Sequence, residues 1–272
     1  ILSDARTKIT RYPNPTNTLD KYQAGQMMGD IYGYETIGIA KSKDEMDQHL
    51  ASLPNGGQNA LGTNWDAGDI MYKDLNGDGK IDNGGNKYDD MGDMKKIGNN
   101  TPRYLFGLDL NADYKGFDFR AFFQGVMKRD YWQGSAYFWG ATSLWHSTGF
   151  VEHADYFRAE ASNDLPANLN AYYPRPVFDS SKNRQKQTAY LQSAAYIRLK
   201  NVQLGYTLPA NLTHKFYVSK LRIFVSGENL WTGTSLANMF DPETIGGGDD
   251  TDKNGNAYPL SKTISFGISV TL

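Results

Sequence analysis

Strict alternation of apolar and polar residues marks the end of the chain. In "TISFGISVTL" the apolar residues occupy every second position, and Thr, Ser and Gly fill the positions between them. The apolar positions are Ile264, Phe266, Ile268, Val270 and Leu272. A period of two is typical of a β-strand with one apolar and one polar face. The pattern therefore predicts a strand over residues 263–272.

The same alternation predicts a hairpin earlier in the chain. "YLFGLDLNADY" places apolar residues at alternate positions from Tyr104 to Tyr114, and "FDFRAFFQG" does so from Phe117 onward. Only Lys115 and Gly116 lie between the two runs. Two alternating runs joined by a two-residue turn with glycine indicate an antiparallel hairpin.

Two further strands are predicted downstream. "NVQLGYTL" alternates regularly, whereas the preceding "YIRLK" carries its apolar residues on the opposite parity. A change of parity indicates a β-bulge, or the point at which the strand leaves its apolar environment. "LRIFVSGENLW" forms the next strand, and only the short "PANLTHKFYVS" precedes it.

Connections between these strands alternate between short and long. About 60 residues separate "FFQGVMKRDYW" from "AAYIRLK", and about 30 separate "ENLW" from "TISFG", far more than a hairpin loop needs. Strands of about 10 residues with this asymmetry are typical of a transmembrane β-barrel with long external loops. A soluble β-sandwich also alternates, but polar positions such as Asp109, Asn111 and Gln124 suit a wet or plugged lumen better than a packed core. The pattern therefore favours an all-β, antiparallel barrel.

One short helix is predicted in an outer loop. In "SKDEMDQHLASL", Ser42 is a suitable N-cap and two acidic residues follow it. Met46, Leu50 and Leu53 have helical spacing, and Pro54 ends the pattern.

Composition excludes several classes of protein. The chain has 272 residues, a net charge of −2 and no cysteine. The charge argues against nucleic acid as a partner, and the lack of cysteine excludes disulfides and thiolate zinc sites. No run of about 18 apolar residues is present, which excludes a membrane-spanning helix. Because the chain starts at Ile1 without an export signal, we expect residues 1–272 to be a single partial domain of a longer protein.

"DLNGDGKID" resembles a calcium-binding loop. Its side chains fill positions one, three, five and nine, Gly79 supplies the turn at six, and Lys80 offers a backbone carbonyl at seven. Gly85 stands at position twelve, where a bidentate Glu would close the site, so we expect an acidic residue of "YDDMGD" to complete it. The candidate ligands of a structural Ca²⁺ are Asp74, Asn76, Asp78, Lys80, Asp82, Asp89 and Asp93, with Asp90 as a further candidate. Alternatively, the loop is an Asx- and Gly-rich turn that holds its own backbone without metal.

Catalytic chemistry has little support in the sequence. The four histidines, His49, His146, His153 and His214, are scattered and show no metal-ligand spacing. No pair of carboxylates can be given the separation that a glycosidase needs. We therefore predict that the protein is not an enzyme.

The long connection between residues 131 and 180 is rich in aromatic residues. Exposed Trp and Tyr serve sugar stacking and protein interfaces alike, although such residues can also pack a loop against itself. Both interpretations remain open at this point. The candidates for binding a ligand or a partner are Trp132, Tyr137, Trp139, Trp145, Tyr172 and Tyr173.

Taken together, these segments resemble a known family. The order and spacing of "GDIMYKDLNGDGKID", "IGNNTPRYLFGLDL", "YKGFDFRAFFQG", "YIRLKNVQLGYTLP", "LRIFVSGENLW" and "KTISFGISVTL" are similar to the C-terminal part of SusC/RagA-type TonB-dependent outer-membrane transporters. The resemblance runs from about Leu19 to Leu272. One departure concerns the acidic loop, where the family often has an acidic residue near position twelve and this chain has "NGGNKYDDMGD".

The resemblance implies the C-terminal portion of a large plugged barrel in the outer membrane of a Gram-negative bacterium. Such a barrel imports oligosaccharides or peptides, works with a SusD-like surface lipoprotein and is driven by the TonB complex through an N-terminal box. The plug and the TonB box are not among these residues. The alternative is a soluble, calcium-stabilised β-rich module for adhesion or glycan binding.

Overall fold

The computed structural model describes residues 1–143, 145, 149–162, 164–245 and 257–272. These residues form strands β1 (Leu2–Ser3), β2 (Asp30–Tyr34), β3 (Thr36–Ile39), β4 (Ile70–Tyr72), β5 (Met94–Asn99), β6 (Arg103–Tyr114), β7 (Phe117–Lys128), β8 (Asp130–Trp132), β9 (Leu191–Ser193), β10 (Tyr196–Thr207), β11 (Lys220–Thr234) and β12 (Thr263–Thr271). The α-helices are α1 (Lys43–Ala51), α2 (Ala136–Trp139) and α3 (Ala210–Thr213), and 3₁₀ turns cover Val151–Ala154 and His214–Phe216. Within these ranges no helix has both the length and the apolar character that crossing a membrane requires.

Six strands form one antiparallel sheet in the order β1-β6-β7-β10-β11-β12. The predicted hairpin is confirmed as β6 and β7, which pair from Tyr114 and Phe117 at the turn to Arg103 and Lys128 at the far end. Both turn residues have positive φ, +48° at Lys115 and +88° at Gly116. Two consecutive residues of positive φ match the right-handed twist of the paired strands, so the turn fixes the register of the hairpin.

The predicted bulge lies in β10 at Lys200. Leu199 pairs with Phe123 of β7, and the next regular pair is Asn201 with Phe122. The extra residue places Leu199 on the same face as Val202, although the two differ in parity. Because of the bulge, the apolar residues on both sides of Lys200 stay on one face of the sheet.

The sheet has one apolar face. A single row across five strands joins Ala112, Phe119, Leu204, Val225 and Phe266. Their side chains are not covered by a second layer, and Phe266 is 84% exposed. The apolar face therefore has no packing partner among the described residues.

The adjacent row shows that the other face is polar. It joins Asn111, Arg120, Gln203, Ser226 and Ser265 across the same five strands. Ion pairs link strands on this face: Arg120 Nη2 lies 2.7 Å from Asp109 Oδ2 of the adjacent strand β6, and Arg222 Nε of β11 donates across β10 to Asp118 Oδ2 of β7 at 2.8 Å. These four charged side chains are thus paired within the sheet.

The two ends of the sheet differ in their connections. At one end, the turn at residues 115–116 and the connection at residues 208–219 are short; we call this the short-turn end. At the opposite end, residues 4–102, 129–195 and 235–262 form the long connections. Long and short connections alternate as the sequence predicts. The sheet is open, with β1 and β12 at its edges.

The hydrophobic core lies in the long connections and not in the sheet. The core cluster consists of Tyr34, Ala40, Met46, Leu53, Trp65, Ile70, Met71, Tyr72, Ile81, Tyr131, Trp132, Phe138, Tyr173, Tyr190, Ala194, Leu236, Phe240 and Ile245. These residues come from residues 30–99, 130–195 and 235–245, which together we call the head. The head also contains three two-stranded sheets, β2-β5, β3-β4 and β8-β9.

The predicted helix is confirmed as α1, in the head. Ser42 Oγ accepts a hydrogen bond from the backbone N–H of Glu45 at 3.1 Å, which satisfies one of the free donors of the first turn. Met46 is fully buried and holds the helix on the core.

Candidate functional site

The acidic loop, residues 74–93, is organised by its own carboxylates. Asp74 accepts hydrogen bonds from the backbone N–H groups of Gly77 at 2.6 Å and Gly79 at 2.9 Å. Asp78 Oδ1 accepts one from Lys80 N at 3.1 Å. Gly79 has a φ of +78°, which a side chain rarely adopts. The loop therefore has the Asx-turn geometry that the sequence pattern predicts.

Asp93 folds back onto this loop from outside the nine-residue motif. Its Oδ1 accepts a hydrogen bond from Leu75 N at 2.7 Å, and its Oδ2 accepts one from Asp82 N at 2.9 Å. One carboxylate oxygen from each of Asp74, Asp78 and Asp93 lies within 4.8 Å of the others. Of the acidic residues in "YDDMGD", Asp93 is thus the one that joins Asp74 and Asp78 in this cluster.

The remaining candidate ligands have other partners. Asp82 Oδ2 lies 2.6 Å from Lys80 Nζ, so this carboxylate is paired with a cation of the protein. Asp89 Oδ1 accepts a hydrogen bond from Asn17 Nδ2 at 2.7 Å, and Asp90 Oδ2 accepts one from Gly85 N at 2.8 Å. The side chain of Asn76 hydrogen-bonds to Asp78 at both its N–H and its carboxylate.

Two carboxyl groups of the loop have opposite pKa shifts. Burial raises the pKa of Asp93, and the nearby carboxylate of Asp74 adds to the shift. Burial also opposes ionisation of Asp74, but the N–H groups of Gly79 and Gly77 outweigh it and lower the pKa. Crowded carboxylates with one raised pKa are relieved by a cation, and hard oxygen donors of this kind are the ligands that Ca²⁺ prefers. Asp74, Asp78 and Asp93 are therefore the residues that can hold a metal.

The six aromatic candidates divide into buried and exposed groups. Trp132 and Tyr173 are buried in the head, and Trp139 is packed against the core. Tyr137, Tyr172 and Trp145 are exposed, and Trp145 is 92% accessible. The buried group packs the connection against itself, whereas the exposed group remains accessible to a ligand or a partner.

The buried aromatics form one contiguous cluster, which the partly exposed Tyr172 joins at its edge. Tyr190 contacts Trp139 with ring centroids 4.8 Å apart and Tyr172 at 5.3 Å, and Phe138 contacts Tyr173 at 5.5 Å. Burial raises the pKa of both Tyr173 and Tyr190 well above the usual range. The hydroxyl groups stay neutral, so the cluster offers no ionisable tyrosine for chemistry.

A buried network of charged side chains lies near α1. This network was not predicted from the sequence. Asp69 Oδ2 lies 2.8 Å from both Lys182 Nζ and Arg175 Nη2, and Asp69 Oδ1 accepts a hydrogen bond from Asn183 Nδ2 at 2.8 Å. The network joins residues that are more than 100 positions apart in sequence. The only signal in the sequence is the acidic Asp69 directly before the apolar "IMY" of β4.

Related sequences are known. No protein-family profile matches the chain. The chain is 28% identical over 253 residues to TonB-dependent receptor P3 of Formosa agariphila, a match that covers 90% of this chain and 22% of the relative. It is 26% identical over 260 residues to TonB-dependent receptor P26 of the same organism, covering 91% of this chain and 23% of the relative. The chain thus spans less than a quarter of the length of these relatives.

Solved structures share the fold. A structure described as the RagAB peptide transporter matches with a TM-score of 0.62 at 21% identity, covering 99% of this chain and 26% of the matched chain. The RagAB peptide importer in its "closed-closed" state matches with a TM-score of 0.54 at 21% identity, covering 96% of this chain and 25% of the matched chain. In sequence the chain is similar to TonB-dependent receptors, and in fold it corresponds to part of the RagAB transporter, which confirms the resemblance to the SusC/RagA-type TonB-dependent transporters.

Proposed function

We propose that this chain is the C-terminal part of the barrel of a TonB-dependent transporter, which imports oligosaccharides or peptides across the outer membrane of a Gram-negative bacterium. The observation that carries the proposal is the uncovered apolar face of the six-stranded sheet. The hydrophobic core of the protein lies in the head and does not cover this face. A soluble protein rarely exposes such a large apolar surface. Lipid covers such a face without cost, and the open edges β1 and β12 pair with the remaining strands of a closed barrel.

The ends of the sheet fit the two surfaces of a membrane. Tyr114, Phe117 and Tyr206 form a row at the short-turn end, and Tyr114 is 69% exposed. Aromatic girdles mark the interfaces of outer-membrane barrels, whose short turns face the periplasm. In this orientation the head lies outside the cell, where the exposed Tyr137, Trp145 and Tyr172 can meet a ligand or a partner.

The descriptions of the related proteins support a class of cargo and the partners. The RagAB structures are described as a peptide transporter and a peptide importer, which supports a peptide as cargo; the resemblance to SusC-type transporters supports an oligosaccharide equally. A SusD-like lipoprotein would cover the head from outside, and TonB would act through the N-terminal part of the longer protein. The names of the relatives are those of receptors, in agreement with a protein that transports and does not catalyse.

A structural calcium ion in the acidic loop forms part of the proposal. One carboxylate oxygen from each of Asp74, Asp78 and Asp93 lies within 4.8 Å of the others, and this grouping supports the proposal. The ion would brace the loop on the head; it has no role in transport itself.

The experiment is purification of the full-length protein with its neighbouring lipoprotein from outer membranes. We expect the protein to require detergent, to retain the lipoprotein, and to carry a co-purified oligosaccharide or peptide that mass spectrometry identifies. A full-length protein that stays monodisperse without detergent would contradict the barrel and favour the soluble adhesion or glycan-binding module. Because such a module must cover the apolar face in water, the structure supports it less well.

A further inference from the structure

The segment after β11 contacts the polar face of the sheet near the start of β10. Residues 235–245, which we call the strap, reach back to Arg198 of β10. Arg198 lies in the row that contains Gln124 and Thr232, and its Nε donates a hydrogen bond to Thr232 Oγ1 at 2.8 Å. Since that row belongs to the polar face, the contacts of the strap with Arg198 are made on that face.

Two cations of the sheet hold two carboxylates of the strap. Arg198 Nη2 lies 2.7 Å from Asp241 Oδ1, and Arg198 Nη1 lies 3.4 Å from Glu243 Oε2. Lys200 Nζ lies 3.0 Å from the same oxygen of Glu243. We call these four side chains the latch. The side chain of Arg198 is 4% exposed, so the ion pairs are shielded from solvent.

The opposite side of the strap belongs to the head. Leu236, Phe240 and Ile245 are buried members of its core. The backbone N–H of Ala237 donates to Oε1 of Gln192, a residue of β9, at 3.1 Å. The strap is therefore anchored in the head by apolar side chains, and its ion pairs with the sheet are made by Asp241 and Glu243.

The latch is incompletely satisfied. Among the described residues, Arg198 Nη1 and Glu243 Oε1 are buried without a hydrogen-bond partner. Asp241, by contrast, accepts from Glu243 N at 2.9 Å and from Leu260 N at 3.2 Å in addition to its ion pair. Buried polar atoms that lack a hydrogen bond raise the free energy of the state that contains them. The free-energy difference that favours the closed latch over an open one is therefore smaller.

Lys200 adds a second reason for a releasable contact. It is the extra residue of the bulge, outside the regular pairing of β10 with both neighbours. A bulged residue is less constrained by the ladder than its neighbours. Its ammonium group can leave Glu243 without disturbing the strand.

We propose that the latch is a releasable contact that holds the strap against the inner wall of the barrel and couples the head to the sheet. This inference rests on the proposed function, because the polar face is the lumenal wall only in a barrel. With the latch closed, the strap narrows the outer mouth of the lumen. With the latch open, the strap moves away from the wall together with the head, and the mouth widens.

The test is a distance measurement in the full-length protein with its lipoprotein in nanodiscs. Spin labels are placed on cysteines at Asn238→Cys in the strap and Asn111→Cys on the polar face, both exposed positions. Pulsed electron paramagnetic resonance then gives the distribution of distances between the labels. We expect Arg198→Gln to add a longer-distance population. The matched control, Arg222→Gln, breaks the ion pair with Asp118 on the same face and should leave the distribution unchanged.

The possible results distinguish failure of the latch proposal from failure of the proposed transport function. A distribution for Arg198→Gln that equals the parent's, in a protein that assembles normally, would overturn the latch, because the apolar anchors would then hold the strap alone. If Arg198→Gln does not assemble, Asp241→Asn combined with Glu243→Gln gives the same test, since it removes both carboxylate charges of the latch and keeps groups that can accept hydrogen bonds. The measurement needs no cargo, so failure to find a transported ligand would affect the proposed function and not this result.

Discussion

Asp69 and Lys182 form a buried ion pair 2.8 Å long inside the head, with side chains 0% and 2% exposed. Lys182 also donates to the carbonyl oxygens of Thr63 and Asn64, and its ammonium group lies 4.9 Å from the ring centroid of Trp65. The pair thereby ties residues 62–72 to residues 175–187 at the centre of the core.

Removing one partner of this pair should destabilise the head severely. Asp69→Asn leaves the ammonium group of Lys182 buried without its counter-charge, and such losses amount to about 3–5 kcal/mol. The measurement is the thermal unfolding of the full-length protein in detergent, followed by tryptophan fluorescence. Lys43→Met is the matched control, because it removes the ion pair between Lys43 and Asp47, both about half exposed, and should have a much smaller effect. Equal losses for the two variants would contradict the role of the buried pair.

The same carboxylate predicts how stability depends on pH. Burial opposes ionisation of Asp69, but hydrogen bonds from Arg175, Lys182 and Asn183 outweigh burial and lower its pKa. A depressed pKa contributes stability that is present above the unfolded value of about 3.9 and is lost as pH falls through the folded value. We therefore expect the difference in melting temperature between the parent and Asp69→Asn to shrink as pH falls below about 4. If the difference in melting temperature grows on acidification, the pKa of Asp69 is not lowered by folding.

The acidic loop provides a test for calcium. Adding Ca²⁺ to chelator-treated full-length protein should raise the melting temperature, since a ligand that binds only the folded state stabilises it. Asp74→Ala combined with Asp78→Ala should abolish the increase and expose the loop to protease, while the barrel still assembles. The control Asp89→Asn alters a carboxylate that hydrogen-bonds to Asn17 outside the cluster, so the increase should persist. Identical melting with and without chelator would argue against any structural ion.

Neighbouring positions on β10 should respond oppositely to a charge. Leu204 lies on the apolar face between Phe119 and Val225, and Gln203 lies on the polar face beside Arg120. Leu204→Arg should cost about 2–4 kcal/mol if that face meets lipid, whereas Gln203→Arg should be tolerated because its face meets water. The readout is the heat-dependent gel mobility of the full-length protein in outer membranes, which reports a folded barrel. Equal tolerance of the two substitutions would contradict lipid contact at Leu204.

The sheet could be predicted from the sequence because its pattern is local. Alternation with a period of two defined β6, β7, β10 and β12. The change of parity between "YIRLK" and "NVQLGYTL" indicated a bulge or an exit from the apolar environment, and the structure shows the bulge at Lys200. The turn at Lys115 and Gly116 followed from its two-residue length. These signals depend on neighbours in sequence, so they can be recognised without tertiary information.

The head could not be predicted in the same way. Strands β4, β8 and β9 have three residues each, too few to show a period, and they pair with distant segments. The sequence offered Asp89, Asp90 and Asp93 equally as completing ligands, but only the backbone path brings Asp93 to the loop. Likewise, the composition of residues 131–180 could not distinguish buried Tyr173 from exposed Trp145.

The location of the core has a consequence for the order of folding. Residues 30–99, 130–195 and 235–245 meet in one cluster, yet each is separated from the next by strands of the sheet. None of the three can complete the core alone, because loop closure brings them together only after β6, β7, β10 and β11 have carried their ends to the same side. In the proposed barrel we therefore expect the head to form late, after the strands have inserted, and a misplaced strand would leave aromatic surface of the head unburied.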